Sequence, residues 1–209
     1  MISNTPLVFA TRIGLTLFTI FIVLLHMLQP EVTFLYDAMS YYVHGPGGWL
    51  LPASLTALGL GSLTLSLELV RRTRGKLGYA GITCLALWGI SLLIAAVFPT
   101  DPIGSWDKLP STSGMIHFAA AIVSFIFLVI AVTLLTRKLG NDPRWSTVKK
   151  SMVWLAGLTA VSFLLLMVSI VSIFASSGAP LYFGLTERLF IFIGAGWIGL
   201  AAAGLRQGS

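Results

Sequence analysis

Charge is what this chain has least of. Only 10% of its 209 residues are charged, against about 25% in an ordinary soluble domain, which excludes a water-soluble globular fold. Acid is scarcer than base, with seven Asp and Glu against thirteen Lys and Arg. The one cysteine, Cys84, rules out an intrachain disulfide and any C-x-x-C redox or zinc pair. Its place midway along an apolar run fits a small buried apolar side chain. Three histidines are present, and none has the H-E-x-x-H spacing of a helical zinc site.

What fills the chain instead is apolar sequence, 56% of it. Crossing about 30 Å of hydrocarbon takes about 20 residues of helix. Six segments qualify: Ala10–Gln29, Trp49–Val70, Leu77–Phe98, Gly114–Thr136, Met152–Ala175 and Leu189–Leu205. Backbone amides in lipid must be bonded within the segment, so at this apolar density the spans are helices. The prediction is an all-α polytopic membrane bundle, a single transmembrane domain over 1–209 with six transmembrane helices. No small-x-small cleavage site follows Gln29-Pro30-Glu31, so the first span is expected to be retained.

Eleven of the thirteen Lys and Arg fall on one side of these spans, in Arg12, Arg71–Lys76, Arg137–Lys150 and Arg206; Lys108 and Arg188 fall on the other. The positive-inside rule makes both termini cytoplasmic, in what is expected to be a prokaryotic inner or plasma membrane. Because these cations sit in short loops between spans and form no polar domain, nucleic-acid binding is set aside. Glu68, three and four residues before Arg71 and Arg72, is read as an ordinary helix ion pair.

The opposite side collects the acids and imidazoles. His26 and His117 each lie about one turn inside an outer helix end, Asp101 follows the third span, and Glu187-Arg188 opens the sixth. Ser111-Thr112-Ser113 supplies capping candidates for the fourth span. The loop Glu31–Gly48 is expected to hold a short interfacial helix before the turn Gly45-Pro46-Gly47-Gly48. Trp49, Trp106, Tyr41, Tyr42 and Tyr182 read as an outer aromatic belt, with Trp145 at the inner boundary. Gly194-Ala195-Gly196-Trp197-Ile198-Gly199 matches G-x-G-x-x-G only in form, since no strand precedes it. Ala195, Gly199 and Ala203 are expected to form a close helix-packing face, as are Gly157 and the Gly59–Ser62 run.

Ionisable groups brought to one depth in a bundle are costly unless they pair or serve a site. The first reading is an outer polar pocket that binds or handles membrane lipid. Arg188 and Lys108 would meet an anionic headgroup, with Glu187 and Trp49 beside them and His117, Asp101 and His26 shaping the pocket. A salt bridge from Arg188 to Asp101 or Asp37 is the structural alternative. The second reading is a membrane-embedded hydrolase acting on a lipid or amide, with His117 as general base and Asp101 orienting it. A zinc version would use His26, His117 and one of Asp37, Asp101 or Glu187, leaving a position for water. Hydrogen-bonded interfacial histidines are the plain alternative. A small-solute transporter is the third reading, although no span is broken at mid-membrane by paired Gly and Pro.

Several short motifs, in order along nearly the whole chain, carry a family likeness. They are Gly45-Pro46-Gly47-Gly48-Trp49, Arg71-Arg72-Thr73-Arg74-Gly75, Phe98-Pro99-Thr100-Asp101-Pro102, Gly114-Met115-Ile116-His117 and Thr186-Glu187-Arg188. In these the chain resembles the DUF998 family of bacterial and archaeal membrane proteins. That family is itself similar to the compact DRAM/Sfk-type membrane proteins, some of them linked with lipid handling. The resemblance implies the six-helix fold and the location of a site, and it carries no activity. Ser113-x-x-x-His117 is similar to one element of the ceramidase and progestin-receptor group, but the chain has no H-x-x-x-H and is one span short of that group.

Overall fold

The computed structural model describes residues 6–105, 108–175 and 182–205. Trp106 and Asp107, the loop positions Gly178 and Pro180, and Arg206 lie outside the described residues. Six helices are long and apolar enough to cross a membrane: α1 Pro6–Leu28, α2 Leu50–Arg72, α3 Lys76–Val97, α4 Thr112–Leu139, α5 Lys149–Ala175 and α6 Phe183–Gly204. Two short 3₁₀ turns, Met39–His44 and Pro143–Trp145, interrupt the connections. The chain is a multi-pass membrane protein. The expected interfacial helix before the glycine turn is the first of the two 3₁₀ segments.

The helices outrun the apolar segments. α4 has 28 residues, about 42 Å at 1.5 Å per residue, so its basic end reaches past the hydrocarbon. α6 begins at Phe183, six residues before Leu189, and draws Glu187 and Arg188 inside the helix. Charge marks where lipid ends and has no power to stop a helix; caps, glycine and proline do that. Thus α3 stops at Val97 with Phe98 extended before Pro99, and Ser111 Oγ caps α4 by accepting from the Gly114 N–H at 3.0 Å. The tight turn between α2 and α3 needs Gly75 at φ 95°.

Successive helices pack as antiparallel neighbours, and α6 closes the bundle against α1, α2, α4 and α5. Lipid supplies no hydrophobic drive between helices, so close approach and interhelical hydrogen bonds hold them. Gly59 of α2 and Gly89 of α3 face each other so closely that a Cβ on either would stand 2.9 Å from the other's carbonyl oxygen. Trp88 Nε1 donates to Ser62 Oγ at 3.1 Å, and Trp197 Nε1 to Thr136 Oγ1 at 2.8 Å.

Four expectations need correction. Trp145 is fully buried and donates to the Ala201 carbonyl at 3.0 Å, so it is a packing residue of α6 and no belt residue. Tyr42 is likewise buried, for reasons given below. On α6 the tight approach is made by Gly194 against Leu128 and Gly204 against Trp145, while Gly199 stands at an ordinary 3.7 Å from Leu15. Gly157, expected at a helix contact, has nothing within 4 Å of where its Cβ would be.

Candidate functional site

The acidic end is organised around Arg188, 3% exposed in the second turn of α6. Its Nη1 donates to the carbonyls of Asp37 at 2.7 Å, Gly184 at 3.0 Å and Phe34 at 3.1 Å. Its Nη2 donates to the Tyr42 hydroxyl at 3.1 Å, and the guanidinium lies 5.0 Å from the Phe34 ring centre. Among the described residues no carboxylate is within ion-pair distance of Arg188, so the expected bridge to Asp101 or Asp37 is replaced by a cage of carbonyls. Gly184 allows this. A Cβ there would stand 2.7 Å from Nη1 and 2.8 Å from the Phe34 oxygen, inside the cage.

Neighbouring bonds stitch the same loop to the same helix. The Leu185 N–H, one of the orphan donors of the α6 N-terminus, reaches the Leu35 carbonyl at 3.1 Å. Glu187 Oε2 accepts from the Met39 N–H at 2.7 Å. Just past the end of α1, the Gln29 amide donates to the carbonyls of Tyr42 at 2.7 Å and Pro46 at 2.9 Å.

Tyr42 links Arg188 to His26. A guanidinium only donates, so the phenol oxygen accepts from Arg188, and the same hydroxyl is hydrogen-bonded to His26 Nδ1, 2.7 Å away. Beside it, Tyr41 has its phenol pushed up to about 12 by burial first and then by the charges of Asp37, Glu187 and Asp101.

His117 and Asp101 belong to a second, separate joint. Pro99 ends α3 and leaves the Ala95 and Phe98 carbonyls without helical donors. His117 Nδ1, on α4, lies 3.1 Å and 2.8 Å from those two oxygens, so it bears the proton that caps them. Asp101 Oδ2 accepts from the Ser111 N–H at 3.1 Å, at the positive end of α4. Ser113 Oγ returns a bond to the Pro99 carbonyl at 2.7 Å. Each member of the expected catalytic pair thus spends its bonds on backbone at the α3–α4 junction. The cavity that His117 helps line holds about 10 Å³, room for one water at most.

The zinc set is not assembled: among the described residues no three His, Cys, Asp or Glu side chains form a group able to hold a metal. Lys108 is exposed beyond α3, and Trp49 is 69% exposed at the start of α2, where a belt residue belongs. Neither is among the groups bonded to Arg188.

The basic end has a larger opening than the small cavity beside His117. A cleft of about 570 Å³ separates α4 from α5. Thr133, Thr136, Arg137 and Gly140 line it from α4 and its C-cap, and Val153, Ala156, Gly157 and Ala160 from α5, with Lys149 and Asn141 at the mouth. Both sets follow the i, i+3, i+4, i+7 spacing of a single helix face. Lys149 lies across Gly140, with Cε 3.6 Å from where that glycine's Cβ would be. The lining hydroxyls are committed elsewhere, Thr133 to the Val129 carbonyl at 2.8 Å and Thr136 to Trp197.

Both carboxylates of this end are also engaged. Glu68 accepts from Arg72 and lies 3.9 Å from Arg71, as its spacing implied. Asp142 is held below the usual carboxylate range, chiefly by hydrogen bonds from Arg144, whose Nη2 is 2.6 Å away. Arg137 and Lys149 therefore face the cleft with no acid opposite them among the described residues. Sequence reading took these two as topology anchors and Gly157 as packing. The signal available was their conjunction, since a small-residue stripe opens about two turns after Lys149 and faces a polar stripe ending near Arg137.

Neither a curated protein nor a solved structure matches the chain. One family model does, and it runs from Arg12 in α1 to Gly204 at the end of α6, over all six helices just described. By that match over residues 12–204 the chain belongs to the family described as protein of unknown function DUF998.

Proposed function

We propose that this protein binds membrane lipid, and that it does so in the cleft between α4 and α5 at the basic end. The observation that carries this reading is the cleft itself: about 570 Å³, between two spanning helices, with an α5 wall of Ala156, Gly157 and Ala160 on which Gly157 is exposed, nothing lying within 4 Å of where its Cβ would be. From Lys149 to Ala160 that wall descends about 16 Å at 1.5 Å per residue. This is close to half of the about 30 Å hydrocarbon thickness, the depth of one leaflet. An acyl chain is the apolar body that such a wall would meet in a bilayer.

The outer polar pocket first expected from the ionisable groups is not carried forward as the binding site. Arg188 and the acids Glu187 and Asp101 bond to backbone, Lys108 stands exposed and apart, and the cavity beside His117 is too small for a headgroup. For the same reason the geometry gives a hydrolytic His117–Asp101 pair no support.

The test is to fill the groove. Gly157→Leu adds a side chain where nothing stands, so thermal stability in detergent should be kept while lipid retained through purification, counted by native mass spectrometry, falls. Unchanged lipid occupancy in a folded Gly157→Leu protein would defeat the reading.

A further inference from the structure

The mouth of the cleft differs in kind from its wall. Arg137 and Lys149 stand where the last turn of α4 and the first residue of α5 emerge from the hydrocarbon. Each lies within one or two turns of the small-residue wall. The two acids that could neutralise them are held by other arginines, Glu68 by Arg72 and Asp142 by Arg144. Asn141, also at the mouth, donates from its Nδ2 to the Arg137 carbonyl at 3.2 Å. What reaches this position from the bilayer is a lipid headgroup, and the charge it must carry to complement the site is negative.

Building on the lipid-binding reading above, we infer that the α4–α5 cleft selects an anionic phospholipid of the basic-side leaflet, its phosphate held between Arg137 and Lys149. The division of labour follows from the chemistry. A guanidinium grips two phosphate oxygens in fixed geometry, while the ammonium supplies a mobile point charge on a stem that already rests over Gly140. Basic pockets between spanning helices on the cytoplasmic side are suited to anionic headgroups, because the surface potential of that leaflet concentrates them there. The acyl chain, by contrast, meets only carbon on α5 and contributes no selectivity. Headgroup choice and lipid retention are therefore separable, and different residues govern them.

The experiment uses the full chain in detergent, exposed in turn to phosphatidylglycerol, to phosphatidylcholine with the same acyl chains, and to inorganic phosphate, with bound species counted by native mass spectrometry. Phosphatidylglycerol should bind about tenfold more tightly than phosphatidylcholine. The double variant Arg137→Gln, Lys149→Gln should lose that preference and keep the phosphatidylcholine level. Arg71→Gln, at the same end but outside the cleft, should keep the preference. Equal binding of the two lipids by the native chain, or a preference that survives the double variant, would overturn the inference and leave the lipid-binding reading in place. Displacement of phosphatidylglycerol by inorganic phosphate at matched concentration would also overturn it, by assigning the cations to a soluble anion. Failure of the lipid-binding reading has a different signature, namely equal lipid counts for the native chain and Gly157→Leu.

Discussion

The two ends of this bundle treat charge in opposite ways. At the acidic end a guanidinium, a carboxylate, a phenol and two imidazoles are divided between two joints, and each finds a partner within the chain. At the basic end most cations are anchors or are matched by Glu68 and Asp142, yet Arg137 and Lys149 border an open cleft without a carboxylate. A gathering of ionisable groups is therefore weak evidence of a site, because the bundle itself needs such groups to fasten its loops. The informative groups are those whose chemistry is left unanswered. By that measure the plainer end is the one we propose for a ligand.

The sharpest way to break this comparison is Arg188→Ala. It would strand three carbonyls and the Tyr42 hydroxyl in a buried place, at a cost of about 3 kcal/mol or more by the rule for uncompensated buried groups. The melting temperature in detergent should fall, and the loop 31–48 should become open to protease. Arg188→Lys should recover only part of the loss, since a point charge cannot span the cage. An Arg188→Ala protein as stable as the parent would return the outer end to candidacy as a ligand site.

A smaller effect contrasts glycines. Gly59→Ala forces a methyl group against the Gly89 carbonyl, and overpacking of that kind costs about 1–3 kcal/mol. Gly157→Ala meets nothing, so stability should hold or rise by less than about 1 kcal/mol, the helix preference for alanine. Thermal melts of the two variants side by side decide it. If Gly157→Ala proved as damaging as Gly59→Ala, α5 would close onto a neighbour and the cleft would not exist as described.

The smallest effect is confined to alkaline solution. Tyr41 is protonated in the fold up to about 12, whereas an unfolded tyrosine ionises near about 10. Stability owed to the neutral phenol is thus complete below about 10 and is lost as pH climbs from there through the folded value. Tyr41→Phe should flatten that alkaline limb and change little at pH 7. An unaltered limb would mean that neither burial nor the neighbouring acids raise this phenol in the fold.

The gross architecture was legible from the sequence because bilayer physics is demanding. Six apolar runs and a one-sided distribution of arginine and lysine leave little freedom, and Ser111 and Phe98-Pro99 announced their helix boundaries locally. The partners of Arg188 were not legible. Its ligands are carbonyls about 150 positions away, and every residue type has a carbonyl. Trp145 misled for a related reason: the same ring suits a membrane interface or a buried socket, and only the Ala201 oxygen and Gly204 decide between them. Gly157 misled because smallness permits contact without requiring it.

A guanidinium that reads main-chain oxygens is indifferent to the side chains hung beside them. Leu35 contributes its carbonyl to the fastening while its side chain is 40% exposed. The loop can therefore drift in sequence at such places without coming loose, provided its trace is kept. Mutational tolerance would then be sharply uneven along a few residues of chain: broad at position 35, and nearly nil at positions 184 and 188.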